Sequence, residues 1–269
     1  MSITQSLIHM GIAVFIVYVL FGVYLYLAQT SLIFYPDNQD FKNCPGFSDF
    51  QIKQIHDTRF YYKFESKESV LVYYHGNAGS ACARSPTREH LQRPGMSMIY
   101  VEYTGYSNDQ KTPSTKKLQQ NVHDIIAFLE EEGFEKVIVY GQSLGSALGA
   151  YHAKNAQVDA LFLVSTFPSL HEVAQSKYRI YPASVLLREQ LYTQNWLETY
   201  TGRAVLIHGT ADRIVPTRFS RQVYDSLRTE DKAYFLIENR GHNDLWMSGE
   251  FTNVLQEQLD AFFQAQSQS

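Results

Sequence analysis

The chain has 269 residues, of which 45% are hydrophobic and 19% charged, and its formal net charge is −4. That is enough chain for one large domain with a substantial core, since single α/β domains run to about 250 residues. The charge balance, with no dense Lys/Arg run, argues against nucleic acid as a partner, because phosphate binding needs clustered positive charge.

Residues 7–28 read LIHMGIAVFIVYVLFGVYLYLA and hold no Asp, Glu, Lys or Arg. A helix of about 20 residues crosses a bilayer core, so the run is long enough to do so. Tyr24, Tyr26 and Tyr35 gather at its far end, where amphipathic rings favour the headgroup layer. A cleaved signal peptide would begin with Lys or Arg and end on a small-x-small site. Residues 1–6 carry no basic side chain, and Tyr26-Leu27-Ala28 is a poor cleavage site. A helix buried in a soluble core is the other alternative, but a helix beside water keeps a polar side and this one has none. Residues 1–30 are therefore expected to form a single-pass N-terminal membrane anchor, with a globular domain over 31–269. The flanks hold too few basic residues to set which side of the membrane that domain occupies.

Cys44 and Cys82 are the two cysteines. They have no CxxC spacing and no His partner in a zinc pattern, so no metal is expected. Their spacing leaves pairing open, and two idle thiols are the plainer reading.

From Phe50 onward, short apolar runs rich in β-branched and aromatic residues alternate with longer segments of helical period. The polar and aromatic mix of 51–63 suits an antiparallel edge pair. The continuous runs SVLVYY (69–74), MIYVE (98–102), KVIVY (136–140), ALFLV (160–164), AVLIH (204–208) and AYFLIE (233–238) suit strands covered on both faces. Leu118, Val122, Ile125 and Leu129 fall at helical spacing, as do Phe251, Leu255, Leu259 and Phe262. Such alternation predicts an α/β fold with a mostly parallel sheet flanked by helices. Residues 166–200 interrupt the rhythm with Pro168, Pro182 and short helical pieces. They are expected to form a small lid over the carboxyl edge of the sheet, where open α/β sheets bind ligands.

Gly141-Gln142-Ser143-Leu144-Gly145 fits G-x-S-x-G between a strand and a helix. In that motif a strained turn lifts the serine hydroxyl off the sheet, and small neighbours let strand and helix approach. A serine hydroxyl becomes a nucleophile only when a base takes its proton, and the base needs a carboxylate to fix its tautomer. Asp212 follows the strand AVLIH and His242 follows the strand AYFLIE, in the order Ser, acid, His expected of this arrangement. His208 ends a strand and reads as packed within the sheet. Asp244 reads as a loop cap, and Glu238 and Asp124 read as structural. Backbone N–H groups of Leu144 and of Asn77, in the glycine-containing loop HGNAGS after the first parallel strand, are the expected oxyanion donors. Residues 102–107 are expected to shape the pocket floor.

The motifs HGNAGS, EYTGYS, GQSLGS, HGTADRIVP and GHND, preceded by the anchor and LIFYP, together resemble the membrane-anchored α/β-hydrolase-domain proteins of the serine-aminopeptidase-like hydrolase group. The resemblance covers nearly the whole chain, and its notable departure from the family is Glu102, where Asp is common. It implies an α/β-hydrolase fold over 31–269 and a compact lid, with Ser143, Asp212 and His242 as triad. It leaves the substrate open among esters, thioesters and lipids. The expected reaction is acyl-ester or thioester hydrolysis through an acyl-enzyme, without cofactor or metal. Phe167, Tyr178, Tyr181 and Leu187 of the lid are expected to line a pocket for an apolar or lipid-like substrate reached from the bilayer. The alternatives are a serine peptidase of aminopeptidase type and a catalytically inactive interaction protein on the same fold. Because the triad lies beyond the anchor, a chain without residues 1–30 is expected to keep activity on a short ester.

Overall fold

The computed structural model describes residues 2–266, so residue 1 and residues 267–269, at the outer ends of the two predicted segments, lie outside it. The first element, α1 (Ile3–Ile33), is one continuous helix that runs three residues past the predicted boundary. Ser2 caps it, its Oγ accepting from the Gln5 N–H at 3.3 Å. The helix is long and apolar enough to cross a membrane, and most of its side chains are exposed.

Eight strands form the main sheet: β1 (Gln51–Ile55), β2 (Thr58–Lys63), β3 (Ser69–Tyr74), β4 (Met96–Glu102), β5 (Val137–Gln142), β6 (Ala160–Val164), β7 (Arg203–Gly209) and β8 (Lys232–Ile237). Their spatial order is β8-β7-β6-β5-β3-β4-β2-β1. The β1–β2 and β2–β4 pairs are antiparallel and the other neighbours parallel. The helices after α1 are α2 (Arg88–Leu91), α3 (Thr115–Glu132), α4 (Leu144–Asn155), α5 (Leu170–Lys177), α6 (Ala183–Leu186), α7 (Thr193–Trp196), α8 (Thr217–Ser226) and α9 (Gly249–Gln266).

Burial on both faces of the sheet explains the uninterrupted apolar runs of β3 to β7. By contrast β8, expected to be covered likewise, is an edge strand whose Ala233, Tyr234 and Phe235 are only partly buried and whose Leu236 is 43% exposed. In β3, Val70, Val72 and Tyr74 join a cluster with Leu118, Val122, Ile125 and Leu129 of α3. Leu71 and Tyr73 point the other way, into a cluster with Phe251, Leu255, Leu259 and Phe262 of α9. On that second face Tyr73 stacks on Tyr100 at 4.7 Å and on Tyr140 at 4.6 Å, tying together the three central strands β4, β3 and β5. The sheet places the carboxyl ends of β3, β5, β7 and β8 along one edge, where the motif loops emerge.

Two features differ from the sequence reading. Cys44 and Cys82 are not idle thiols but a disulfide, with Cα atoms 5.8 Å apart. The bond fastens the segment after α1 to the loop that follows β3. The second feature concerns α1, which is not separate from the rest of the chain. Its end leads into Tyr35–Pro36, which pairs in parallel with Ala78–Gly79 of that same β3 loop. Higher up, α1 packs against the insert between β6 and β7, the predicted lid, which carries α5, α6 and α7.

Candidate active site

Ser143 sits at the turn from β5 into α4 with φ 53° and ψ −118°, a conformation that costs a residue with a side chain. The flanking glycines are required by contact. A Cβ on Gly141 would lie 2.3 Å from the Gly145 carbonyl oxygen, and one on Gly145 would lie 2.1 Å from that of Tyr74. The turn is pinned from both sides. The Ser143 N–H donates to Val164 O at 2.8 Å, and Ser143 O accepts from the Ser146 N–H at 2.9 Å and the Ser146 hydroxyl at 2.6 Å.

Asp212 and His242 stand in the loops after β7 and β8, and these loops press together. A Cβ on Gly209 would meet Arg240 O at 2.2 Å, and the Ala211 N–H donates to Arg240 O at 2.9 Å. Asp244 caps the second loop, accepting from the Gly241 N–H at 2.6 Å. The structure brings the three side chains into one line. The Ser143 hydroxyl donates to His242 Nε2 at 2.8 Å, and His242 Nδ1–H donates to Asp212 Oδ2 at 2.7 Å. Ser143, Asp212 and His242 are only 8%, 9% and 7% exposed, so bulk water does not compete for these bonds.

Asp212 is held by four donors. Its Oδ1 accepts from the N–H groups of Ile214 and Val215, each at 2.8 Å. Its Oδ2 accepts from His242 and, at 3.1 Å, from His208 Nε2–H, which is shared with Val215 O at 2.9 Å. Burial by itself pushes the carboxyl pKa up. The bonds from His208 and His242, the His242 charge and the Val215 N–H outweigh it and hold Asp212 well below the usual carboxylate range. The link to His208 is absent from the sequence reading, which placed that residue within the sheet. It is indeed fully buried in β7, and the signal for its role was its position four residues before Asp212, across the bend of the loop.

The N–H of Leu144 opens α4 and, as a first-turn donor, has no acceptor within its helix. Across from it, the Asn77 loop approaches Ser143 so closely that a Cβ on Gly76 would lie 3.7 Å from Ser143 Cβ. Asn77 is fixed by its other groups. Its carbonyl accepts from the Tyr35 N–H at 2.9 Å and the Tyr106 hydroxyl at 2.8 Å, and its Nδ2 donates to Ile33 O at 2.9 Å. The 102–107 segment braces this loop and is not part of the cavity lining. The Tyr103 hydroxyl donates to His75 O at 2.6 Å, and buried Glu102 accepts from His75 Nε2 at 3.3 Å and from the Ala81 N–H at 3.0 Å.

A cavity of about 230 Å³ opens at Ser143, Leu144 and Asn77. All four predicted pocket residues, Phe167, Tyr178, Tyr181 and Leu187, line it. So do Leu25, Gln29 and Leu32 of α1, which sequence reasoning assigned to the anchor or its immediate end. None of the described lining residues is Asp or Glu.

Comparison with known proteins agrees with this architecture. YfhR of Escherichia coli K12 is 27% identical over 204 residues, covering 72% of this chain and 69% of that protein. Protein bem46 of Schizosaccharomyces pombe is 26% identical over 205 residues, covering 71% and 68%. A relative in Saccharomyces cerevisiae, described as a membrane protein, is 26% identical over 173 residues and covers 61% of each chain. Among solved structures, an esterase of Pyrococcus furiosus superposes with a TM-score of 0.66 at 13% identity, over 87% of this chain and 98% of its own. Est1E of Butyrivibrio proteoclasticus, solved with ferulic acid, gives 0.62 at 15% identity over 79% and 99%. These likenesses show an α/β-hydrolase fold. The serine hydrolase (FSH1) family matches residues 48–243, a span that takes in Ser143, Asp212 and His242. The chain belongs to the serine hydrolase (FSH1) family.

Proposed function

We propose that this hydrolase is held at a membrane by α1 as a single-pass anchor, and that it cleaves acyl esters or thioesters of apolar or lipid-like compounds. The observation that carries the reading is the hydrogen-bonded line from Ser143 Oγ through His242 to Asp212, at 2.8 and 2.7 Å. Ser143 attacks the acyl carbonyl while its proton moves to His242 Nε2, and Asp212 holds the ring and stabilises the imidazolium. The Leu144 and Asn77 N–H groups receive the oxyanion. Collapse of the tetrahedral adduct expels the alcohol or thiol, which takes its proton from His242. Water then attacks the acyl-enzyme with His242 as base, the carboxylic acid leaves, and Ser143 recovers its proton.

The lining of the cavity supports an apolar acyl group as substrate. An aminopeptidase needs a counter-charge for the free α-amino group, and none of the described residues lining the cavity is Asp or Glu. A fluorophosphonate probe is expected to label the wild type and not Ser143→Ala, with Asp212→Asn lowering ester turnover on the order of 10⁴-fold. Labelling that persists in Ser143→Ala overturns the nucleophile assignment. A wild-type chain that never labels points to a binding role. Turnover of aminoacyl amides above that of acyl esters would favour a peptidase.

A further inference from the structure

One face of α1 differs from the rest of the helix. Tyr18, Gly22, Leu25, Gln29 and Leu32 recur at steps of four and three, the spacing of a single helical stripe. Along that stripe α1 meets the insert. The rings of Tyr18 and Tyr181 stack at 4.6 Å. The Tyr18 hydroxyl donates to Ile180 O, and the Tyr181 hydroxyl returns a bond to Tyr18 O, each at 2.9 Å. Gly22 makes room for this clasp, since a Cβ there would lie 3.1 Å from Tyr181 Cε1. Two turns on, just past the apolar run, Gln29 is 4% exposed. Its Oε1 accepts from the Arg188 N–H at 2.7 Å, and its Nε2 donates to Tyr26 O at 2.7 Å and to Leu186 O at 3.4 Å. Between the clasp and this bond, Leu25 and Gln29 face the cavity that leads to Ser143.

Helix length sets the depth of these contacts. The 31 residues of α1 span about 46 Å, against a hydrocarbon core of about 30 Å that takes about 20 residues. The shallowest placement of the domain puts residues 3–22 in the core. The Tyr18–Tyr181 clasp then lies at the edge of the hydrocarbon and the cavity wall at headgroup depth. Tilting α1 or shifting it along its axis takes the clasp deeper. The outer side of the insert fits that position. Ile180 and Val185 are 72% and 77% exposed, and exposed Arg179 stands beside Ile180 in sequence, suited to a lipid phosphate. Lys177 lines the cavity, and Arg188 is held against α1, 4.8 Å from the Tyr26 ring.

We infer that the tip of the insert is embedded in the bilayer interface, and that the cavity takes the acyl chain of a membrane lipid laterally, with Leu25 and Gln29 of α1 forming the wall that reads the chain. The inference rests on the ester-hydrolase reading for its chemistry but not for its geometry. The test uses the full chain in phosphatidylcholine vesicles. Leu25→Trp fills the wall, and Gly22→Leu displaces Tyr181. Each is expected to lower the ratio of kcat/KM for p-nitrophenyl dodecanoate over p-nitrophenyl acetate by at least about tenfold. A ratio unchanged in both variants overturns the role of α1. Because Cys44 and Cys82 are joined, an environment-sensitive fluorophore can be placed on Ile180→Cys and, as a control, on Arg228→Cys. Nitroxide groups on the lipid acyl chains are expected to quench roughly half or more of the emission at position 180 and little at position 228. Equal quenching at both sites, or none at position 180, overturns the embedding. A chain that hydrolyses neither ester but shows the quenching contrast fails the hydrolase reading and leaves the membrane geometry standing.

Discussion

The Cys44–Cys82 bond closes a loop with a sequence separation of 38. Loop-closure entropy for that length corresponds to about 4 kcal/mol of stabilisation at 25 °C. The bond lies in a packed region. Phe47, three residues after Cys44, stacks on Tyr61 at 4.5 Å and leans on Tyr100 at 4.7 Å. On the other side of the bond, the Ala81 N–H donates to Glu102 at 3.0 Å. Replacing both residues in Cys44→Ser/Cys82→Ser removes the cross-link without leaving a lone thiol. For a domain of this size the loss converts to a fall in Tm of roughly 8–16 °C. The assay is thermal unfolding of the wild type, the double variant and reductant-treated wild type in one detergent. The last two should coincide. A Tm within about 2 °C of the wild type would refute the reasoning, because it would mean that the loop is equally restricted without the bond. Disulfides persist in oxidising compartments. Blocking free thiols in intact cells before extraction should therefore leave both cysteines unmodified if the domain resides in such a compartment.

Gly145→Ala is expected to abolish the folded elbow, because its Cβ would lie 2.1 Å from a backbone oxygen of β3 that has no room to retreat. The loss should exceed about 4 kcal/mol, seen as failure to recover folded protein by circular dichroism. His208→Phe removes one donor to Asp212 and adds ring volume at a fully buried position, at an expected cost of at least about 1.5–3 kcal/mol at neutral pH. The Asp212 pKa lies below its ordinary value of 3.8. Its contribution to stability is therefore present above that pH and is lost as pH falls through the folded-state value. The stability gap between His208→Phe and the wild type should narrow as acid protonates Asp212 in both. The gap should stay level from pH 7 to about pH 4 and narrow only below that, so denaturant midpoints measured from pH 7 down to about pH 2 check this, and a gap that widens in acid contradicts it.

The edge that carries the candidate triad was legible because each of its residues sits in a short loop right after a strand that announces itself by composition. GQSLGS follows KVIVY, HGTAD follows AVLIH, and GHND follows AYFLIE. A parallel sheet brings the ends of such strands to one edge, so local order in the sequence becomes proximity in space. The four aromatic and aliphatic pocket residues were found for a similar reason, since the insert had nowhere to lie but over that edge. What stayed hidden depends on distant packing. The Cys44–Cys82 pairing is a matter of Cα separation, and no spacing rule reports it. The stripe on α1 was masked because a helix that is apolar all round shows no periodicity. Its traces were Gly22 within the run and Gln29 just past it. The 102–107 segment was misplaced because a glycine-containing turn after a strand looks the same whether it lines a cavity or props the loop that does.

The Asn77 loop is bonded to Ile33 and the insert is bonded to Gln29, so the helix proposed as the tether is also a wall of the cavity at Ser143. If α1 holds the membrane as proposed, a protease that clipped the chain near residue 30 would release the domain and, in the same stroke, cut Leu25 and Gln29 from that wall. The triad lies beyond the cut, so a short ester would still be turned over. Release would cost the protein its fit to a long acyl chain, not its chemistry.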